Sequence, residues 1–96
     1  MGMEKRIEIL FKGQVQGVGF RFTADQLAHK FDVKGYVENL RSGDVRVVAE
    51  GEEKELTAYL YAIRNSSVKD FILDFDCVWT ESQGEFSDFS IRRTTR

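Results

Sequence analysis

The stretch Gly13-Gln-Val-Gln-Gly-Val-Gly-Phe-Arg21 follows an alternating segment and precedes one with helical spacing. It holds three glycines, no acidic residue and a terminal arginine. Glycine permits positive φ and lets backbone approach a ligand closely, so Gly13, Gly17 and Gly19 allow the loop to turn its N–H groups inward. A helix start adds unsatisfied N–H groups and the positive end of the helix dipole, both of which favour an anion. Arg21 supplies a permanent charge on a planar fork that can grip two oxygens at once. The combination is an oxyanion cradle, and phosphate is its expected occupant. No Gly-Lys-Ser/Thr triplet follows, so this is not a Walker A loop, and the spacing does not match GxGxxG.

Upstream, Lys5 to Lys12 alternates with Ile7, Ile9 and Phe11 on one face, the pattern of a strand. Downstream, Ala24, Leu27, Ala28 and Phe31 recur at helical spacing, which predicts an amphipathic helix over Phe22 to Asp32. Gly35 to Leu40 reads as a second strand, with Tyr36, Glu38 and Leu40 on one side and Val37 and Asn39 on the other. Ser42-Gly43-Asp44 is turn chemistry, and Val45, Val47 and Ala49 continue as a third strand. Glu52, Glu53 and Glu55 suit the start of a second helix, whose core stripe is Leu56, Tyr59, Leu60 and Ile63 and whose end is Asn65-Ser66-Ser67. Lys69 to Glu81 alternates again, placing Phe71, Leu73, Phe75, Cys77 and Trp79 on one face and Asp74 and Asp76 on the other. A turn follows at Ser82 to Glu85, and Phe89 and Ile91 mark a short terminal strand.

The order βαββαβ plus a short C-terminal strand predicts an α+β, ferredoxin-like split βαβ fold. Two helices then cover one face of a mostly antiparallel sheet. In that topology strands one and two run parallel with strand three between them, so their carboxyl ends emerge at one edge. Ligands of open α/β sheets tend to sit beyond carboxyl strand ends. The glycine loop and Arg21 follow strand one and Asn39 ends strand two, so residues distant in sequence are expected to converge.

Composition narrows the function class. Ninety-six residues with 42% hydrophobic and 12% aromatic content predict a single domain over residues 1–96. The lone Cys77 excludes an intrachain disulfide framework and fits a reducing compartment. With no leader-like or membrane-spanning apolar run, a cytoplasmic protein is expected, and a monomer. Fourteen basic against sixteen acidic residues give a net charge of −2, which lacks the basic footprint of a nucleic-acid binder. Arg92, Arg93 and Arg96 cluster at the tail, as a solvated end commonly does. His29 has no second ligand at metal spacing, Cys77 has no neighbouring base and reads as a core thiol, and Asp74 and Asp76 read as the polar face of a strand. Arg21 has a competing role as a surface cation paired with Asp25 at i+4, and Asn39, taken alone, is most simply a turn residue.

Gly13 to Arg21, together with the helix that follows and Gly35-Tyr-Val-Glu-Asn39-Leu40, resembles the signature of the acylphosphatases. The resemblance runs from the first strand to the terminal Phe-Ser-Ile-Arg-Arg93. It keeps the Val-Gln-Gly-Val-Gly-Phe-Arg core intact, with Tyr36 where relatives often carry tryptophan and no proline in the loop before strand four. It implies a small ferredoxin-like enzyme that hydrolyses the carboxyl–phosphate bond of acyl phosphates, with no cofactor and no metal. The implied phosphate site is Gln16, Gly17, Val18, Gly19, Phe20 and Arg21, and the implied catalytic pair is Arg21, binding phosphate, and Asn39, orienting water. The poverty of acids and bases fits such chemistry, because a carboxylate leaves without a proton and phosphoryl transfer depends on positioning and electrostatics.

Three other readings stand beside it. One is the carbamoyl-phosphate-handling domain of hydrogenase-maturation carbamoyltransferases, disfavoured because the chain stops after the domain and lacks zinc-finger cysteines. An RNA-binding module on the same fold is disfavoured because its aromatic motif belongs on strand three. The last is a non-catalytic phosphate-binding regulatory domain.

Overall fold

A computed structural model describes residues 3–93, so Arg96 of the basic tail lies outside the described residues. The strands are β1 (Glu4–Gly13), β2 (Val33–Asn39), β3 (Val45–Glu52), β4 (Ile72–Glu81) and β5 (Phe89–Arg92), and the helices are α1 (Phe20–Ala28) and α2 (Glu53–Arg64). They form one five-stranded sheet in the order β4-β1-β3-β2-β5. β3 is antiparallel to both β1 and β2, and β5 is parallel to β2. The carboxyl ends of β1, β2 and β5 therefore share one edge. This is the expected ferredoxin-like α+β arrangement, with both helices on one face.

The apolar alternation of β1 makes the centre of the core. Ile7, Ile9 and Phe11 are fully buried with Val37, Val45 and Val47 from the neighbouring strands and Leu56, Tyr59 and Ile63 from α2. Tyr59 also donates its hydroxyl proton to the Ala24 carbonyl at 2.8 Å, pinning α2 to α1. The burial of this phenol pushes its pKa well above the ordinary value, with nearby Asp25 adding to the effect. Phe20 packs against Phe11 with the rings tilted by 52° and their centroids 4.9 Å apart, so the first residue of α1 is anchored in the core. Burying a ring of that size contributes about 2 kcal/mol, and it holds the exit of the glycine loop against the sheet.

Several element boundaries differ from the sequence expectation, β2 by starting at Val33 and ending at Asn39 and α1 and β4 by more. α1 starts at Phe20 and ends at Ala28, whereas the apolar spacing predicts Phe22 to Asp32. The helix begins directly after left-handed Gly19, and beyond Ala28 the chain tightens into i→i−3 bonds such as Lys30 N–H to Leu27 C=O, 2.9 Å. Leu27 and Phe31 still pack against the core, which is why their spacing looks helical. β4 starts at Ile72, after a short 3-10 turn over Lys69–Phe71.

The faces of β4 differ too. Lys12 pairs with Asp74 and Gly13 with Ile72, so the register shift makes Leu73 an extra residue that faces water, 82% exposed. Ile72, Phe75 and Cys77 pack on the core, whereas Trp79, expected on the same face, is 42% exposed on this edge strand. Asp74 and Asp76 are exposed as expected, and Asp76 pairs with Lys12 at 3.1 Å. On the face away from the helices, Glu38 and Glu50 are buried, a feature the alternation does not announce.

Candidate active site

Two buried apolar side chains, Val15 and Phe20, pin the glycine loop at either end. The N–H of Gln14 also donates to the Phe71 carbonyl at 3.1 Å, tying the loop to the start of β4. Between these anchors Gly17 and Gly19 lie exposed with φ of 78° and 81°. A Cβ at either position would meet nothing within 4 Å, so the requirement for glycine is conformational and not steric. Gly19 is the N-cap of α1, whose start has no side-chain cap and no acidic residue in its first turn. Gly17 and Gly19 line an exposed cleft at this helix start, where the dipole's positive end lies.

Arg21 lies in that first turn, half-buried, and its Nη1 donates to the backbone carbonyl of Arg92 at 3.1 Å. Among the described residues no carboxylate pairs with it. Asp25, its competing partner in the sequence, lies 3.6 Å from His29 Nε2 instead. The Arg92 guanidinium sits over the Tyr36 ring, 3.5 Å from its centroid, which fixes the end of β5 where the carbonyl is needed.

The loop, the end of β2 and the end of β5 enclose a cleft of about 260 Å³ lined by Val15, Gly17, Gly19, Phe20, Arg21, Phe22, Asn39 and Ile91. Five of the seven residues singled out in the sequence line it: Gly17, Gly19, Phe20, Arg21 and Asn39. Val18 packs its side chain against the core. Gln16 turns its carboxamide away, donating from Nε2 to the Leu40 carbonyl at 2.7 Å and to the Asp44 carbonyl at 2.9 Å. Val15, Phe22, Ile91 and the Arg92 carbonyl were not foreseen. The signal for Ile91 and the Arg92 carbonyl lies in the topology, because β5 runs parallel to β2 and must deliver its carboxyl end to the same edge.

Other candidates do not assemble into a site. Burial raises the Cys77 thiol pKa, with Arg64 partly opposing and Asp76 adding, so the thiolate is disfavoured on β4. No group of three or more His, Cys, Asp or Glu among the described residues could hold a metal ion. A wider apolar groove of about 820 Å³ along α2, lined in part by Phe31, Thr57 and Tyr61, has neither a glycine loop nor an arginine. No described helix is long and apolar enough to cross a membrane.

The 260 Å³ cleft can hold a tetrahedral oxyanion between backbone N–H groups and a guanidinium, with a carboxamide alongside to direct a neutral molecule. Comparison with known proteins places most of the chain in one family. The acylphosphatase family model matches residues 7–91. An acylphosphatase of Caldanaerobacter subterraneus is 35% identical over 89 residues, spanning 93% of this chain and 99% of that protein. The crystal structure of acylphosphatase from Bacillus subtilis superposes with a TM-score of 0.85 at 33% identity, covering 92% of this chain and 98% of the other. Full-length HypF, in its phosphate- and nucleotide-bound form, contains a segment similar at TM-score 0.87 and 31% identity, covering 98% of this chain but 12% of HypF.

Proposed function

This chain belongs to the acylphosphatase family, enzymes that hydrolyse acyl phosphates, and we propose that its cleft does so by in-line attack of water on a phosphoryl group held by the glycine loop and Arg21. The N–H groups of Gln16 to Phe20 bind the nonbridging oxygens together with the Arg21 fork. Those contacts strengthen as charge develops in the transition state. Asn39 orients the attacking water through its carboxamide, and a phosphate oxygen accepts the water's proton. The carboxylate leaves without needing a proton, so no general acid is invoked.

The observation that carries this reading is the meeting of Asn39 with Gly17, Gly19 and Arg21 in one cleft, from segments 18 or more residues apart. The Arg21 charge supports it, since a neutral carbonyl orients the guanidinium without neutralising it. The apolar lining from Phe22 and Ile91 gives the acyl group no charged partner. We further take residues 1–96 to work as one cytoplasmic, monomeric domain that needs no metal and binds no nucleic acid.

Release of inorganic phosphate from benzoyl phosphate in excess chelator tests the proposal. Turnover unchanged by chelator, with competitive inhibition by inorganic phosphate, is the expected result. Binding of phosphate without turnover would favour the non-catalytic regulatory reading. Amide shifts on phosphate titration should cluster within Gln14 to Arg21, and shifts centred elsewhere would displace the site.

A further inference from the structure

The carboxamide of Gln16 joins the two halves of the cleft. Its single nitrogen carries two protons, and each meets a backbone carbonyl of the β2–β3 turn, Leu40 at 2.7 Å and Asp44 at 2.9 Å. Those carbonyls already close the turn, accepting from Gly43 N–H at 3.1 Å and Leu40 N–H at 2.9 Å. Leu40 is covalently next to Asn39, and Asn39 itself pairs with Val45 at the other side of the same turn. Both neighbours of the Gln16 nitrogen are acceptors, so the orientation of the amide follows from the chemistry. With its donors engaged there, the side chain offers a phosphate oxygen only an acceptor, which would repel it.

We propose that Gln16 is a positioning residue that fixes the Asn39 carboxamide relative to the phosphate loop, so that it governs turnover and not phosphate binding. The inference rests on the assignment of Asn39 as the group that orients water. Physically, the hairpin end and the glycine loop follow different strands, and the Gln16 carboxamide bonds one to the other. A neutral double donor is required, because a glutamate would set its charge against two carbonyl oxygens and a methionine would leave each with only its hydrogen bond inside the turn, uncoupled from the loop.

The test is a double-mutant cycle on the whole chain. Turnover of benzoyl phosphate and the inhibition constant for inorganic phosphate are measured for Gln16→Met, Asn39→Ala and the combination, with thermal melting recorded for each. Gln16→Met is expected to lower kcat about tenfold, as a displaced catalytic group does, while the phosphate constant stays within about twofold. In the Asn39→Ala background the same change should alter kcat by less than about twofold, because there is no carboxamide left to position. A phosphate constant weakened in parallel with kcat would overturn the proposal by making Gln16 a phosphate ligand. Full additivity in the cycle, or a lowered melting point with normal kcat, would overturn it as well. Should Gln16→Met not fold, Gln16→Asn, which keeps both donors one methylene short, serves in the same cycle with the same criteria. Normal turnover in Asn39→Ala alone would instead sink the role given to Asn39. A slow Asn39→Ala with additive Gln16→Met would sink the clamp alone.

Discussion

Two arginines in this chain sit beside turns rich in backbone N–H groups, and they are used in opposite ways. Arg6 faces Glu50, which is buried and accepts from Gln83 N–H at 2.8 Å, Gly84 N–H at 3.1 Å, the Ser82 hydroxyl at 3.0 Å and Arg6 Nη1 at 3.3 Å. Arg6 also bonds Glu85 and lies 5.4 Å from the Phe86 ring centroid. That region is an oxyanion site with its anion built into the chain. The loop leading to Arg21 repeats the ingredients, turn N–H groups plus a guanidinium, yet among the described residues its arginine pairs with no carboxylate and donates to the neutral Arg92 carbonyl. The first region converts charge into structure. The second keeps charge available, and a family of acyl phosphate hydrolases has the corresponding use for it.

The contrast breaks if the Arg21 region proves structural, and the largest effect that can show this concerns its neighbour. Asn39→Ala should reduce kcat about a hundredfold, the usual consequence of removing one positioned hydrogen-bonding group. Inhibition by inorganic phosphate should stay largely intact. A variant that lost phosphate affinity and kept its turnover would reverse the roles assigned to the two residues. Next in size, Arg21→Lys should lower kcat/KM by about thirtyfold, or roughly 2 kcal/mol, since a point charge cannot reproduce the bidentate fork. Its melting point should hold, because among the described residues no ion pair is lost.

The Glu50 region should respond in the reverse sense. Glu50→Gln is expected to destabilise the fold by about 2 kcal/mol, read in urea unfolding, while kcat/KM for benzoyl phosphate stays near normal. The pH dependence follows from the same contacts. Burial opposes the Glu50 charge, but the bonds from Gln83, Ser82 and Arg6 outweigh it and lower the carboxyl pKa below its ordinary value. A carboxyl with a depressed folded pKa adds stability that is fully present above the unfolded glutamate pKa and is lost as pH falls through the folded one. Stability of the parent chain should therefore decline on acidification below the ordinary glutamate range, and Glu50→Gln should flatten that limb. If both profiles fell in parallel, another carboxylate would be responsible.

The Arg21 side of this contrast was legible in the sequence and the Glu50 side was not. Gly17, Gly19 and Arg21 are unusual in kind and close in sequence, and the split βαβ order carries Asn39 to them. Ile91 and the Arg92 carbonyl escaped notice because a hydrophobe and a backbone atom on a terminal strand have no distinctive spacing. Glu50 escaped for a different reason. It lies near the end of β3 beside Gly51 and Glu52, on the face opposite the apolar alternation, and the return of Ser82 to Gly84 over that face supplies its hydrogen bonds. Gln16 reads from the sequence as part of the phosphate loop, but its side chain answers to a turn 24 residues away. The β4 faces were misjudged at Leu73 because alternation cannot foresee a register shift opposite Gly13.

The smallest expected effect sharpens the comparison at the loop itself. Gly17 adopts φ 78° in open space, so alanine there clashes with nothing and suffers only the left-handed backbone penalty. That penalty is about 1 kcal/mol, comparable to what a surface turn tolerates, and Gly17→Ala should fold with a modestly lower melting point. The loop can relieve the strain by rotating the peptide on either side, which would turn an inward N–H away from the cleft. In that event inhibition by inorganic phosphate weakens a few-fold and KM for benzoyl phosphate rises in step, while the contribution of Asn39 to kcat persists. Strain without any change in phosphate affinity would mean that the N–H groups flanking Gly17 do not hold the anion, and that α1's first turn and Arg21 hold it alone.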